Sequence, residues 1–222
     1  MSGLVDRTRR TLVIPAKAAP GQEGLLSLGQ RIRTGREALG ISLREFSRRL
    51  KVSPSLISQI ENGRVMPSVG TLYAIANELD LSFDDMFNPA AHSAPPAEPA
   101  ESLVPAEAPV SPVLRAPDRK TIRLSGGVQW ERLTPQHDAQ VEFLHVIYEV
   151  GASSCPPDSL VRHAGREYAY VLAGRLGVQI GFETYELGPG DSTSFSSQTP
   201  HRIWAIGDEP VNAIWVICNR HT

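Results

Sequence analysis

Between Ser42 and Gly63 the chain carries two helix starts with room for nothing but a turn between them. Ser42 precedes Glu45 by three positions, the pattern of a reciprocal capping box, and Leu43, Phe46 and Leu50 recur behind it at helical spacing. A second start follows at Ser53-Pro54. Serine accepts a hydrogen bond from a first-turn amide, and proline at the first helical position needs no amide partner and has a pre-set φ. Only Lys51-Val52 lies clear of both elements, so two helices must meet at an angle across a tight turn. Asn62-Gly63, a pair that tolerates left-handed dihedrals, closes the second helix.

On that second helix Ile57 and Ile60 point inward, while Ser55, Ser58 and Gln59 point away from the core on a face free of bulk. Such a face can enter a DNA major groove. Gln pairs bidentately with an adenine edge and Ser bonds several base edges, which makes Gln59 the leading candidate for direct readout. Ser42, Arg44, Ser53, Ser55, Ser58, Asn62 and Arg64 complete the expected DNA-contacting set. Leu28, Ile32 and Leu39 form an apolar stripe ahead of the pair. Val69, Leu72, Ala76 and Leu79 form another behind it, with Ser68 as its cap. A last short helix is expected over Ser82-Phe83-Asp84-Asp85-Met86-Phe87, giving five between about Leu26 and Phe87.

Here the chain resembles the lambda-repressor/Cro-like (XRE) helix-turn-helix family, in Ser53 through Gly63 and in Pro67-Ser68 through Leu72. The local charge agrees. Residues 26–66 hold eight Arg or Lys against three Glu, whereas residues 67–88 hold four acids and no base. The whole-chain charge of −2 hides this asymmetry, which is the footprint of a nucleic-acid partner. For any single one of Arg31, Arg33, Arg44, Arg48, Arg49 and Arg64, a merely solvated face is an equal reading.

The chain's 222 residues, 41% hydrophobic, suffice for a small helical domain plus a second core of about a hundred residues. No apolar run approaches the length of about 20 residues that crosses a bilayer, and the first residues are too polar and proline-punctuated for a signal peptide. A cytoplasmic protein without a membrane partner is expected. Cys155 and Cys218 lack CxxC spacing, which implies neither a disulfide scaffold nor a cysteine zinc site; Cys155, in Ser-Ser-Cys-Pro-Pro, reads as the more accessible.

Four segments follow: a flexible arm over 1–24, with Arg7, Arg9, Arg10 and Lys17; the helix-turn-helix domain over 25–88; a linker over 89–117; and a β-rich domain over 118–222. From Asn88 to Pro117 the chain has eight Pro and eight Ala, an extended, semi-rigid composition that lets the folded parts keep separate cores. After Lys120 short β-rich runs alternate with glycine turns: Gly127–Leu133, Val141–Val150, Tyr168–Leu172, Leu176–Ile180, Thr184–Leu187 and Val211–Cys218. An antiparallel sandwich or small barrel enclosing a cavity is expected. The fold class is therefore multidomain α + β.

In the second domain, His163-Ala-Gly-Arg-Glu167 with Gly174 beyond it, and Gly188-Pro189-Gly190-Asp191 with Pro200-His201 beyond, resemble the two motifs of the cupins, a double-stranded β-helix or jelly-roll fold. The resemblance assigns His163, Glu167 and His201 to three metal-ligand positions and leaves Val161 where the first motif has its first His. Two imidazoles and a carboxylate form a facial triad suited to divalent Fe, and also to Zn, Ni or Mn. The same three can instead hydrogen-bond an organic effector, with Tyr168 as a fourth ligand-binding residue. Tyr170, Phe143, Tyr148 and Trp204 are cavity wall or plain core, Trp215 is core or interface packing, and Arg162 and Arg202 face away from the histidines.

XRE-type regulators with a C-terminal cupin form a known family, and the domain order here is the same. The resemblance implies a regulator of catabolic or stress genes, expected to act as a repressor on double-stranded operator DNA and to be modulated by a small-molecule effector or metal in the cupin; one small recognition helix and barrel faces that can pair predict a homodimer. The alternative is a cupin metalloenzyme, of oxygenase or isomerase type, carrying a DNA-binding head; an eroded ligand set speaks against it.

Overall fold

A computed structural model of the chain describes residues 20–81, 111–136, 138 and 140–218. The first part is helical: α1 Pro20–Ala38, α2 Leu43–Arg49, α3 Pro54–Glu61 and α4 Val69–Leu79. The fifth helix expected at 82–87, the arm ahead of Pro20 and most of the linker lie outside the described residues.

The helix starts are set by their caps. The hydroxyls of Ser42, Ser53 and Ser68 accept from the amides of Glu45, Leu56 and Thr71. The Ser42 box is one-sided, because the Glu45 carboxylate is taken by the Arg48 and Arg49 guanidiniums instead of reaching back. Gly63, not Asn62, takes the left-handed φ of 62° that ends α3. Two-turn helices are not stable alone, so α2 and α3 stand by packing. Phe46, Ile57, Ile60, Leu72 and Ile75 are fully buried with Leu28 and Ile32 of α1. Leu39 departs from its expected stripe. It falls one residue past the end of α1 and is 53% exposed.

The second part has nine strands: β1 Thr121–Leu124, β2 Val128–Arg132, β3 Val141–Tyr148, β4 Arg166–Ala173, β5 Arg175–Ile180, β6 Glu183–Leu187, β7 Ser192–Ser196, β8 His201–Ile206 and β9 Val211–Cys218. They form two antiparallel sheets, ordered β1-β2-β3-β9-β4-β7 and β6-β5-β8. Alternation turns Leu144, Val146 and Tyr148 of β3, Glu167, Ala169 and Val171 of β4, and Trp215 and Ile217 of β9 inward. Backbone bridges Ser153↔Trp204 and Val161↔His201 tie the loop before β4 to β8.

The two parts do not keep separate cores, contrary to what the linker composition suggests. Their buried side chains form one cluster. The Gly70 amide, one of the donors a helix start leaves without an internal partner, is bonded to the Ser154 carbonyl of the barrel at 3.2 Å, and Ser125 N donates to Pro67 O at 3.0 Å. A Cβ on Gly70 would lie 2.9 Å from Val161 Cγ2, so glycine lets α4 approach this closely without moving that side chain.

Candidate functional site

Helix α3 presents Ser55 and Gln59 to solvent on one side while Ile57 and Ile60 are buried on the other. Gln59 Nε2 donates a long bond to Ser55 Oγ, 3.5 Å, which leaves its amide available to an outside partner. Ser58 is half-buried, and its carbonyl accepts from Asn62 Nδ2 at 2.7 Å. Ser42, Arg44, Ser53, Asn62 and Arg64 are exposed around the turn.

The basic field is narrower than the sequence count. Arg36 is buried, its Nε and Nη2 bonded to Glu61 Oε1 and Oε2 at 2.6 and 3.0 Å. Arg48 and Arg49 pair with Glu45, Arg49 also with Glu78, and Arg33 with Glu37. The two Arg48 and Arg49 contacts hold the Glu45 carboxyl down at about 2. Arg44, Lys51 and Arg64 are exposed, form no ion pair among the described residues and are free to meet phosphate.

Inside the barrel, His163, Glu167 and His201 converge, their ligand atoms all within 4.8 Å of one another. Glu167 is placed by strand β4 and His201 opens β8; His163 is fixed by its backbone amide donating to Ser197 O. Glu167 Oε1 stands 2.9 Å from His163 Nε2 and 3.2 Å from His201 Nε2. Each ring's other nitrogen is committed, His163 Nδ1 to Ala164 O and His201 Nδ1 to Thr199 O, both at 2.9 Å. A carbonyl oxygen only accepts, so both Nδ1 atoms carry protons, and each ring turns its Nε2 toward the carboxylate.

Charge states sharpen that arrangement. Burial pushes His201 below the ordinary imidazole value, more than the facing Glu167 raises it. Burial alone would raise Glu167, but its contacts with His163, His201 and the Trp215 indole keep it below the usual carboxylate range. The indole Nε1 donates to Glu167 Oε2 at 2.7 Å, leaving Oε1 for the centre. His163 Nε2 and Glu167 Oε1 are buried without a hydrogen-bond partner in spite of their short separation. With both Nε2 atoms unprotonated the three facing atoms are all acceptors, and a cation between them would satisfy all three. Donor separations near 3 Å match neighbouring positions around an ion with ligands at about 2.0–2.2 Å, so the three residues fit a divalent metal. Val161, exchanging both backbone bonds with His201, lines the same cavity at the missing His position.

The cavity is ≈ 20 Å³, walled by Trp130, Leu144, Val146, Tyr148, Trp215 and Ile217 from the large sheet and closed by Val69 and Tyr73 of α4. The Tyr73 ring lies flat on His163, with centroids 3.9 Å apart and planes 2° apart, and Trp130 meets it edge-on at 5.8 Å.

Several expected residues fall elsewhere. Tyr168 is not in the pocket: with its neighbour Glu167 turned inward, it points outward and is 44% exposed. Tyr170 and Phe143 share that outer face. Tyr148 lines the cavity, where burial and the Glu167 charge push its phenol pKa up. Trp204 packs over Gly177 under the Arg202 guanidinium. Trp215 is a partner of the buried carboxylate rather than inert packing, Val69 was placed only in the apolar stripe of its own helix, and Tyr73 was not foreseen. Cys155, expected to be accessible, is 4% exposed beneath α4, and burial raises its thiol pKa.

The Helix-turn-helix family HTH_3 matches residues 32–86 and the Cupin domain family matches residues 135–217. The HTH-type transcriptional regulator PuuR of Escherichia coli (strain K12) is 25% identical over 177 residues, 79% of this chain and 86% of that one. An uncharacterized HTH-type transcriptional regulator of Sinorhizobium fredii, y4dL, is 46% identical over 52 residues, 23% of this chain and 26% of its own length. Among solved structures, an HTH_3 family transcriptional regulator from Vibrio cholerae superposes with a TM-score of 0.59 at 20% identity, covering 89% of this chain and 98% of that one, a likeness of fold.

Proposed function

We propose that the chain acts as an HTH-type transcriptional regulator, an XRE-type helix-turn-helix domain joined to a C-terminal cupin, and that a divalent cation held by His163, Glu167 and His201 and a small effector beside it set its occupancy of operator DNA. The observation that carries this reading is the buried convergence of two Nε2 atoms and Glu167 Oε1 on one point, with every second atom of those groups already bonded elsewhere. A bound ion would supply positive charge and open coordination positions for an oxygen-bearing effector. The three side chains hold it and Trp215 orients the carboxylate. The cavity of ≈ 20 Å³ has room for an ion, so an effector beside it needs a wall of the cavity to move.

At the DNA, Gln59 and Ser55 read base edges while Arg44 and Arg64 meet phosphates. One two-turn helix spans few base pairs, so the chain acts as a homodimer on an inverted repeat. The outer face of the large sheet supports this, since Phe143, Val216 and Tyr168 form one cross-strand row and Ile214 and Tyr170 the next, with Leu172 beyond.

The test is metal analysis of purified protein, with anisotropy titration of a selected operator before and after chelation. Retained divalent metal at one per chain and an operator affinity that shifts on chelation are expected. Protein that takes up none of Zn, Fe(II), Ni or Mn, and whose operator affinity is indifferent to them, would overturn the metal reading.

A further inference from the structure

The wall of the cavity that faces the DNA-binding domain belongs to that domain. Val69 and Tyr73 stand one helical turn apart on α4, and Gly70 between them lets the helix lie against Val161 and Cys155. The contact has specific partners. The Gly70 amide is held by the Ser154 carbonyl, and Tyr73 stacks on His163, whose side chain is fully buried beneath it. With the helix seated, ≈ 20 Å³ remain inside, about the space of one water or a bare ion and far below the several hundred Å³ of an organic-ligand pocket.

We propose that the effector site is shared between the two domains, the Tyr73 ring occupying the seat on His163 that a small planar ligand with an oxygen donor takes when it binds. The seat's chemistry defines that class: an imidazole face for parallel stacking, an indole edge from Trp130, apolar flanks from Leu144, Val146 and Ile203, and the Glu167–His201 donors beyond. A ligand in this seat and a docked α4 exclude one another. Ligand binding therefore converts a DNA-binding head fixed on its barrel into one held by the linker alone, and the affinity for ligand is lowered by the fraction of molecules with α4 in place. This rests on the proposed sensing role of the barrel.

Two variants of the full chain test it. A Cβ at position 70 would lie 3.5 Å from Cys155 Cβ, inside the range for a disulfide, so Gly70→Cys should close an intramolecular bond to Cys155 on mild oxidation and pin α4 down. Tyr73→Ala should open the seat. Alkylation of Cys155 should then rise at least about tenfold over wild type, while Cys218, on β9, reacts unchanged as an internal control. Zn(II)-loaded protein titrated with catechol, followed by tryptophan fluorescence, should bind at least about tenfold tighter in Tyr73→Ala than in wild type and not at all in oxidised Gly70→Cys, with binding restored on reduction.

Failure of the disulfide to form, together with equal Cys155 reactivity in wild type and Tyr73→Ala, would overturn the docking. Equal catechol affinity in all three proteins, or none in any despite Zn(II) uptake, would overturn the shared planar seat. If no protein takes up Zn(II), the metal reading of the barrel fails, while the disulfide and alkylation results still decide whether α4 covers the site.

Discussion

Removing the Glu61 carboxylate tests how the recognition helix is held. Glu61 is the last residue of α3, and its carboxylate receives a two-pronged bond from Arg36 of α1, the side chains being only 4% and 10% exposed. In Glu61→Ala the Arg36 guanidinium keeps its bond to Ile41 O and a marginal 3.5 Å contact with the half-exposed Glu37, but loses its buried counter-charge. Stranding one member of a buried pair costs about 3–5 kcal/mol. The contacts Arg36 retains place this case at the low end, about 3 kcal/mol. Because head and barrel share one core, the unit that melts is the larger one, and the fall in melting temperature is about 6–12 °C. Arg36→Met with Glu61→Leu, which removes both charges, should return the head to within about 1 kcal/mol of wild type. Far-ultraviolet ellipticity reads the helical head, and fluorescence reads the barrel, because the chain's three tryptophans, Trp130, Trp204 and Trp215, all lie there. A loss below about 1 kcal/mol in Glu61→Ala, the range of a solvent-exposed pair, would refute the reasoning.

Gln59→Ala should weaken operator binding by about 1–3 kcal/mol and leave non-specific DNA binding nearly unchanged in anisotropy titrations; equal losses on both would remove it from base readout. Val161→His should add a ligand beside His201 and raise divalent-metal occupancy in equilibrium dialysis, provided the variant keeps wild-type ellipticity. Trp215→Phe should lower metal affinity about 10–100-fold by freeing the Glu167 carboxylate to turn, a loss checked by competition with a chromogenic chelator. Tyr170→Asp, placing a charge at the centre of the outer sheet face, should yield monomers by light scattering if that face joins two copies.

The helical head was legible because its signals are local. Caps, the Pro after Ser53 and the apolar spacing act within a turn or two, and the caps Ser42, Ser53 and Ser68 each mark a helix that is there. The barrel was legible in its longer apolar strands but not in β1, β7 and β8. Strand β7 is Ser-Thr-Ser-Phe-Ser with only Phe195 buried, and β8 begins with a buried histidine rather than an apolar residue. The convergence of His163, Glu167 and His201 was implied by the resemblance to the two cupin motifs. The inward face of Glu167 also dictates that Tyr168 points out, a period-two signal present in the sequence. Trp215 and Tyr73 carry no local sign of their roles, since both arise from contacts between elements far apart in the chain. One trace existed: a glycine inside α4 costs about 1 kcal/mol relative to alanine, and Gly70 stands where the barrel presses against the helix.

The position of β9 sets an order of events during synthesis. That strand lies between β3 and β4, Val141 opposite Cys218 on one side and Arg166 opposite Cys218 on the other, so the six-stranded sheet stays in two pieces until residues 211–218 thread between them. Helices close on nearby contacts, whereas this pairing must wait for the far end of the domain and for a large loop to be brought together. On the ribosome the DNA-reading half is therefore complete while the sheet it rests on still has two raw edges, and a chain cut ahead of Val211 would keep a helical head with nothing behind it to answer a signal.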